Sequence, residues 1–167
     1  RKRDVRIVRD SWGVPHIFGK TDADVSYGLA IAHAQDDFRN LEEVIAAVRG
    51  RGGAITGEDG AKIDFAGALL GANQTAAAHY GELPADTRAL LEAYAQGLNE
   101  YAAGHRSEQR IRGLFPVNGQ DIVAGFMLRS PFFFGLDKPL GALVAGALTW
   151  VVATYLVTIS GASREVS

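Results

Sequence analysis

The sequence predicts a mainly α-helical chain with a short N-terminal β-hairpin. Apolar residues recur at helical spacing across 21–136, whereas the alternation typical of strands is confined to 4–18. Of the 167 residues, 47% are hydrophobic, which is enough for a core, and 22% are charged. We therefore expect a single domain over 1–167, in which the helical scaffold is followed by an apolar tail at 137–167.

The hairpin is predicted from two short alternating segments around a turn. Asp4–Asp10 alternates imperfectly, Ser11–Gly13 form the turn, and Val14–Phe18 resume the strand. Pro15 has no backbone N–H, which indicates a position at a sheet edge or at the start of a strand.

The first helix has clear signals at both ends. Thr21 is the predicted N-cap, and Asp22 and Asp24 lie in the first turn, where the helix dipole favours acidic side chains. Helical spacing continues to Arg49, and three glycines then end the helix. We expect residues 51–60 to form a loop.

Three further helices are predicted. The second covers Ile63–Tyr80, and the third covers Ala85–Ala103 with Pro84 near its first position. The fourth covers 119–134, where Pro131 predicts a kink or the end of the helix. Glycines within these helical patterns indicate tight packing against neighbouring elements.

Charge and cysteine content exclude several classes of protein. The net charge of −2 and the scattered basic residues argue against a nucleic-acid partner. The absence of cysteine excludes disulfides, thiolate metal sites and a cysteine nucleophile within this chain. The chain begins at Arg1 without a recognisable signal peptide, so we expect a processed or trimmed product.

The tail contains the segment Leu140–Ile159, which is almost continuously apolar and uncharged. Its length would permit a transmembrane helix. Its threonines, its β-branched clusters and its weakly basic flanks instead favour a buried segment covered by a partner chain. A non-catalytic, membrane-anchored or partner-binding helical protein remains the alternative reading.

Few residues suggest chemistry by themselves. His16 lies in a tight turn, and His33 precedes Asp36 and Asp37 by three and four residues, a spacing that suits a metal or an acid–base pair. For both histidines we favour a hydrogen-bonded structural role, in the case of His33 a buried one. The other acidic side chains of this helix are interpreted as caps, ion pairs and solvated surface: Glu42 and Glu43. Neither a P-loop nor a Gly-x-Ser-x-Gly motif is present.

The aromatic segment 126–134 is different. Its bulky apolar side chains and Arg129 cannot all share one helical face, so some of them could line a concave pocket for a hydrophobic ligand. Ordinary core packing is the alternative for most of its individual phenylalanines.

Three segments resemble the penicillin acylase family, and together they span about 4–136. The first matches "RD-x-x-GVPHI" and "D-A-x-x-x-YG-x-x-x-AQD" at Arg9, Asp10, Gly13, Val14, Pro15, His16 and Ile17, then Asp22, Ala23, Tyr27, Gly28, Ala34, Gln35 and Asp36. The others, similar to "L-x-A-Y-A-x-G-I-N-x-Y" and "LPV-x-x-x-DV", are Leu91–Tyr101 and Leu114–Ile122.

The resemblance implies an α subunit. Family members are N-terminal nucleophile hydrolases, which are made as one precursor and cut so that a serine begins the β chain. That serine attacks the amide, with its own α-amino group as general base. We therefore expect no catalytic residue in this chain, which wraps the αββα core of the β subunit and packs its tail, 137–167, on that partner. A bacterial periplasmic or secreted location follows from the same resemblance.

The resemblance also implies an acyl-binding site on the fourth helix. Ser130 and Phe134 fall where family members place side chains that contact the acyl group, with Met127, Pro131 and Phe133 nearby. Phe134 replaces the tyrosine of glutaryl-type cephalosporin acylases, so we expect an apolar acyl chain. The candidate small-molecule substrates are penicillins, lipopeptides and N-acyl homoserine lactones, and we expect no membrane partner.

Two departures from the family pattern concern charged residues. Many members have Gln-Asp-Arg where this chain has Asp37 in third place, so the ion pair of that arginine is lost or replaced. Some members bind calcium through an α-chain glutamate after the pocket helix, whereas 135–140 contains only Asp137 as an acidic residue. We expect neither a calcium ligand nor a cofactor from this chain.

Overall fold

A computed structural model describes residues 3–135 together with 138, 139, 141, 142 and 146. The described elements are two strands and six α-helices: β1 (Val5–Arg9), β2 (Pro15–Gly19), α1 (Asp22–Val48), α2 (Gly53–Thr56), α3 (Glu58–Leu70), α4 (Ala72–His79), α5 (Ala85–Gly104) and α6 (Gly119–Phe133). Short 3₁₀ turns follow α4 and α5, at Tyr80–Glu82 and Arg106–Glu108. The predicted class, mainly helical with an N-terminal hairpin, is confirmed. The chain divides into two compact units, 1–128 and 129–167.

The hairpin lies on the first half of α1. β1 and β2 are antiparallel and pair Val5 with Gly19 and Arg9 with Pro15. Pro15 is the first residue of its strand, as its missing N–H predicted. A Cβ on Gly28 would lie 2.6 Å from Cγ2 of Val5, so only glycine lets the hairpin approach α1 this closely.

Helix α1 starts where the sequence predicts and bends where it does not. Oγ1 of Thr21 accepts a hydrogen bond from the backbone N–H of Asp24 at 3.2 Å, which confirms the N-cap. Asp37 has φ −152° and ψ 47°, so the helix is kinked at this residue. The Asp37 carboxylate accepts a hydrogen bond from Asn40 at 2.8 Å, a local bond with which aspartate competes against helical geometry.

The predicted loop at 51–60 is wrong, because the glycines there serve packing. A Cβ on Gly60 would lie 2.2 Å from the carbonyl oxygen of Gly52, and this close approach brings α2 against the start of α3. The single helix predicted for Ile63–Tyr80 is also wrong. Gly71 has φ +64° and separates α3 from α4, since a left-handed residue ends a helix.

Helices α1 and α5 form the centre of the first unit. Helix α5 begins after Pro84 and ends one residue beyond its predicted end. A Cβ on Gly97 would lie 2.5 Å from the carbonyl oxygen of Tyr27, so glycine sets the distance between these helices. The buried core residues around this crossing come from α1, α5 and the segment that follows α5: Ala30, Ala34, Phe38, Ile45, Ala46, Ala95, Leu98, Tyr101, Ala102, Ile111, Leu114 and Val117.

The connection from α5 to α6 is held by buried polar contacts. Glu42 is fully buried and accepts hydrogen bonds from the backbone N–H groups of Arg110 and Ile111, at 2.7 and 3.1 Å. The side chain of Asn99 exchanges two hydrogen bonds with the backbone of Val117. Glu42 thus forms an ion pair with Arg110, one of the roles that the sequence predicted, although its carboxylate is buried and not solvated.

Helix α6 ends one residue before the predicted boundary and contains Pro131 in its last turn. Most of Leu140–Ile159 lies outside the described residues, so the prediction that this segment packs on a partner stays a prediction. Within the described part of the chain, every helix is too short or too polar to cross a membrane.

Candidate functional site

The start of α6 is fixed by a reciprocal pair of hydrogen bonds. Oδ1 of Asn118 accepts from the N–H of Asp121 at 3.1 Å, and Oδ2 of Asp121 accepts from the N–H of Asn118 at 2.8 Å. The guanidinium of Arg49 donates to both carboxylate oxygens of Asp121, at 3.0 and 2.8 Å. Asp121 is buried, so this bidentate pair supplies the charge partner that burial requires.

Four of the five predicted pocket residues lie in the second unit, at the other end of α6. The N–H of Phe134 donates to the carbonyl oxygens of Ser130 and Pro131, at 3.3 and 3.2 Å. Ser130 and Phe134 are therefore one helical turn apart. The rings of Phe133 and Phe134 meet edge to face with centroids 6.1 Å apart.

These phenylalanines are open to solvent in this chain. Phe133 is 90% exposed and Phe134 is 87% exposed, whereas Ser130 and Pro131 are half-buried. Apart from Arg129, the sequence from 122 to 136 carries no charge. This helix end thus offers apolar contact, which suits a hydrophobic ligand.

Met127, the fifth predicted residue, belongs to the first unit and is half-buried. It stands between Phe126, which is 76% exposed, and Leu128, which is buried. A groove of about 660 Å³ in the same unit is lined by other residues, among them Asn99, Arg106 and Phe115. The predicted pocket residues therefore lie on α6 or, for Phe134, one residue beyond its end, and the pocket that they would line stays a prediction.

The histidines occupy structural positions. Nε2 of His16 lies 3.2 Å from Oδ2 of Asp10, and this hydrogen bond is the main cause that lowers the pKa of Asp10. Nδ1 of His33 lies 2.6 Å from the hydroxyl of Tyr94. His33 is hydrogen-bonded as predicted, but it is exposed and not buried.

The acidic residues near His33 form separate pairs. Asp36 binds Arg9 at 2.8 Å, and Asp37 binds Asn40. Among the residues that the structure describes, no group of three or more acidic or histidine side chains is arranged for a metal ion. Asp137 lies outside those residues, so the expectation about calcium stays a prediction.

Two tyrosines, one on α1 and one on α5, have raised pKa values. Burial, followed by a 2.5 Å hydrogen bond to Glu100, raises the pKa of Tyr27 to about 12. Burial alone raises the pKa of Tyr94 to about 12. Both phenols are therefore neutral at physiological pH, and their hydrogen bonds join α1 to α5 instead of activating a substrate.

The residues that sequence analysis missed are those that hold α6 in place. Arg49 and Asp121 are 72 residues apart, and Glu42 and Arg110 are 68 residues apart. Local periodicity carries no signal for such pairs. The one indication available was a glutamate, Glu42, at an inward position of an amphipathic helix.

Comparison with known protein families identifies the family of this chain. Residues 4–137 match the family model of penicillin amidase. The chain belongs to the penicillin amidase family. The resemblance carried by the hairpin, α1, α5 and the start of α6 is thereby confirmed.

Curated members of the penicillin amidase family share about a third of the aligned residues. Penicillin acylase 2 proenzyme of Pseudomonas sp. (strain SE83) is 32% identical over 99 residues, which are 59% of this chain and 13% of that protein. Acyl-homoserine lactone acylase PvdQ of Pseudomonas fluorescens (strain Pf0-1) is 30% identical over 113 residues, 63% of this chain and 14% of that protein. This chain therefore spans about one seventh of the length of these curated relatives.

A solved structure from the same family has a similar fold. A chain of the thermostable penicillin G acylase from Alcaligenes faecalis superposes with a TM-score of 0.64 at 23% identity. The match covers 80% of this chain and 75% of that chain. At this identity the likeness concerns the fold alone.

Proposed function

We propose that this chain is the α subunit of a heterodimeric acylase, an amidohydrolase that removes an apolar acyl group from a linear amide. Its partner is the β subunit of the same precursor, whose αββα core it wraps. The observation that carries the proposal is the penicillin amidase match over 4–137, which includes the helix with the predicted acyl-contacting residues. Membership in an acylase family does not favour the membrane-anchored or partner-binding alternative.

The extents of two relatives support the subunit role. The alignment with the solved penicillin G acylase chain covers 75% of that chain. In contrast, 99 aligned residues are only 13% of a relative named a proenzyme. A short chain and a long precursor in one family are what processing into subunits produces.

The contacts of the described histidines support a nucleophile on the β subunit and not on this chain. Their histidines bond to carboxylates, phenols or carbonyl groups, and none is paired with a serine or threonine hydroxyl. In the proposal the nucleophile is the N-terminal serine of the β subunit, which attacks the amide carbonyl while its own α-amino group takes the proton. This chain holds the acyl group away from water at the end of α6.

The exposed phenylalanines support an apolar acyl group. Phe133 and Phe134 offer two aromatic rings, and Phe134 has no hydroxyl with which to bind a terminal carboxylate. Relatives named penicillin acylase and acyl-homoserine lactone acylase both match this chain. The proposed substrates are amides of apolar acyl chains on a penicillin nucleus, a lipopeptide or a homoserine lactone. A periplasmic or secreted location remains part of the proposal.

Expression of the full precursor tests the subunit role. Denaturing electrophoresis of the active protein should separate this chain from a much larger one, and N-terminal sequencing of the larger chain should begin at serine. Purification of this chain as an active enzyme without a second polypeptide would overturn the proposal.

Exchange of one phenylalanine tests the acyl pocket. Phe134→Tyr in the precursor should shift the ratio of kcat/KM for phenylacetyl against glutaryl amides by about tenfold toward the glutaryl amide. The added hydroxyl can bind the terminal carboxylate of the glutaryl group. The matched control is Phe126→Tyr, which alters an exposed phenylalanine outside the predicted site. The pocket assignment fails if Phe134→Tyr blocks processing or if both variants behave alike.

A further inference from the structure

We propose that the hairpin turn presents Trp12 as an anchor that binds an apolar pocket of the β subunit. This inference rests on the proposed function, because it requires that partner. It concerns assembly of the enzyme and is separate from the acyl site on α6.

The turn is held in one conformation by its own backbone. Oδ1 of Asp10 accepts hydrogen bonds from the N–H groups of Trp12 and Val14, at 2.9 and 3.0 Å. The N–H of Gly13 donates to the carbonyl oxygen of Asp10 at 3.0 Å. Gly13 has φ +83°, a conformation that glycine adopts without strain.

The turn is also joined to α1. Nη1 of Arg9 donates to the carbonyl oxygen of Gly13 at 2.8 Å, and the same guanidinium binds Asp36 and Gln35. His16 of β2 lies against Asp10, the residue that follows β1. The backbone at position 12 is therefore fixed relative to the body of the first unit.

The side chain that this turn presents has no partner among the described residues. Trp12 is 89% exposed, the highest value among the large apolar residues of the described first unit. Three further apolar side chains of the hairpin are about half exposed: Val8, Val14 and Phe18. We call these four residues the hairpin surface.

A rigid, exposed tryptophan has the properties of an interface anchor. Its indole offers a large apolar area and an N–H donor, and such residues dominate the binding energy of protein interfaces. Because the turn is already ordered, binding costs little conformational entropy. Without a partner, the apolar area of the indole would remain exposed to water, which is unfavourable in free energy.

The length of the relatives indicates which polypeptide occupies the hairpin surface. Aligned segments of this chain make up 13% and 14% of two relatives, so most of a precursor of that size lies outside this chain. Within a single precursor, covalent linkage keeps the rest of the polypeptide at high effective concentration while the chain folds. The β subunit is therefore the polypeptide that is present at the highest effective concentration to bind Trp12.

Trp12→Ala in the full precursor tests the anchor. After processing, the two subunits should dissociate in urea with an equilibrium constant at least about tenfold larger than in the parent, as expected for a buried aromatic anchor. Trp12→Phe should keep most of the affinity, because it retains an aromatic ring. Equal dissociation of the parent and Trp12→Ala would overturn the proposal.

A second measurement does not depend on the stability of the variants. The chain has no cysteine, so Trp12→Cys introduces its single thiol. In the native heterodimer this thiol should resist alkylation, whereas in urea the same chain should gain one adduct by mass spectrometry. Rapid alkylation of the native heterodimer would overturn the anchor.

The outcomes separate this inference from the proposed function. A single polypeptide with no second chain would sink the proposed function. A stable heterodimer with a reactive Trp12→Cys thiol would sink the anchor alone. If Trp12→Ala instead splits a dimer of heterodimers and leaves the subunits together, the anchor binds a second copy and the assignment to the β subunit is wrong.

Discussion

At the scale of single residues, Glu42 is the buried carboxylate that binds Arg110. Its carboxylate is fully buried and accepts from two backbone N–H groups and from Nε of Arg110 at 2.9 Å. Arg110 also binds the neighbouring Glu43, which is half-buried. One arginine therefore binds a fully buried and a half-buried carboxylate, and the buried one should contribute more to stability.

We predict that Glu42→Gln lowers the free energy of unfolding by about 3 kcal/mol, because it leaves a partly buried guanidinium and two backbone donors without an anionic acceptor. Glu43→Gln is the matched control and should cost less than about 1 kcal/mol. Urea unfolding of the processed protein, followed by circular dichroism, measures both. Equal effects of the two variants would contradict the assigned burial.

Tyr27 should make stability fall at alkaline pH. Its pKa is raised to about 12 in the folded chain, above the ordinary value of about 10 for tyrosine. Between these values the unfolded chain has lost the phenolic proton and the folded chain keeps it, so the free energy of unfolding falls as pH rises. Tyr27→Phe should make this loss shallower in urea titrations from pH 9 to 11. Parallel curves for parent and variant would contradict it.

At the level of elements, the crossing of α1 and α5 depends on a missing side chain. Gly97→Ala would place a methyl group 2.5 Å from the carbonyl oxygen of Tyr27, so the helices must move apart. We predict a loss of about 2 kcal/mol in the free energy of unfolding. Gly104→Ala, where no atom lies within 4 Å, should be neutral or slightly stabilising. Thermal unfolding of both variants gives the comparison.

Elements with local signals were predictable. The cap at Thr21, the strand start at Pro15 and the start of α5 after Pro84 follow from side-chain and backbone chemistry within a few residues. The helices around Gly52 and Gly60 were not predictable, because these glycines allow a close contact between two elements and do not form a turn. The kink at Asp37 likewise has no periodic signal.

The predicted site residues stay a prediction, whereas the helix that carries most of them was predictable. The start and end of α6, and the turn that relates Ser130 to Phe134, follow from motif and spacing. The long-range anchors of the helix do not, because they join residues about 70 positions apart. The pocket that the predicted residues would line stays a prediction.

For the whole molecule, exposed aromatic residues predict dependence on a partner. Trp12, Phe126 and Phe134 are each more than three-quarters exposed, at 89%, 76% and 87%. Expressed without the rest of its precursor, this chain should be mainly insoluble and should bind a hydrophobic dye. Co-expression of the downstream polypeptide in trans should restore solubility, whereas an unrelated polypeptide should not. A soluble isolated chain that binds no dye would contradict this prediction.

The arrangement of α6 has a consequence for evolvability. Asn118, Asp121 and Arg49 secure the start of the helix, and the predicted acyl contacts Ser130 and Phe134 follow 9 to 16 residues later in the sequence. We therefore expect mutations at Ser130 or Phe134 to leave the hydrogen bonds between Arg49 and Asp121 unchanged. Under the proposed function, a lineage or a directed library confined to these positions would exchange acyl preferences while the contacts at the start of α6 stay constant.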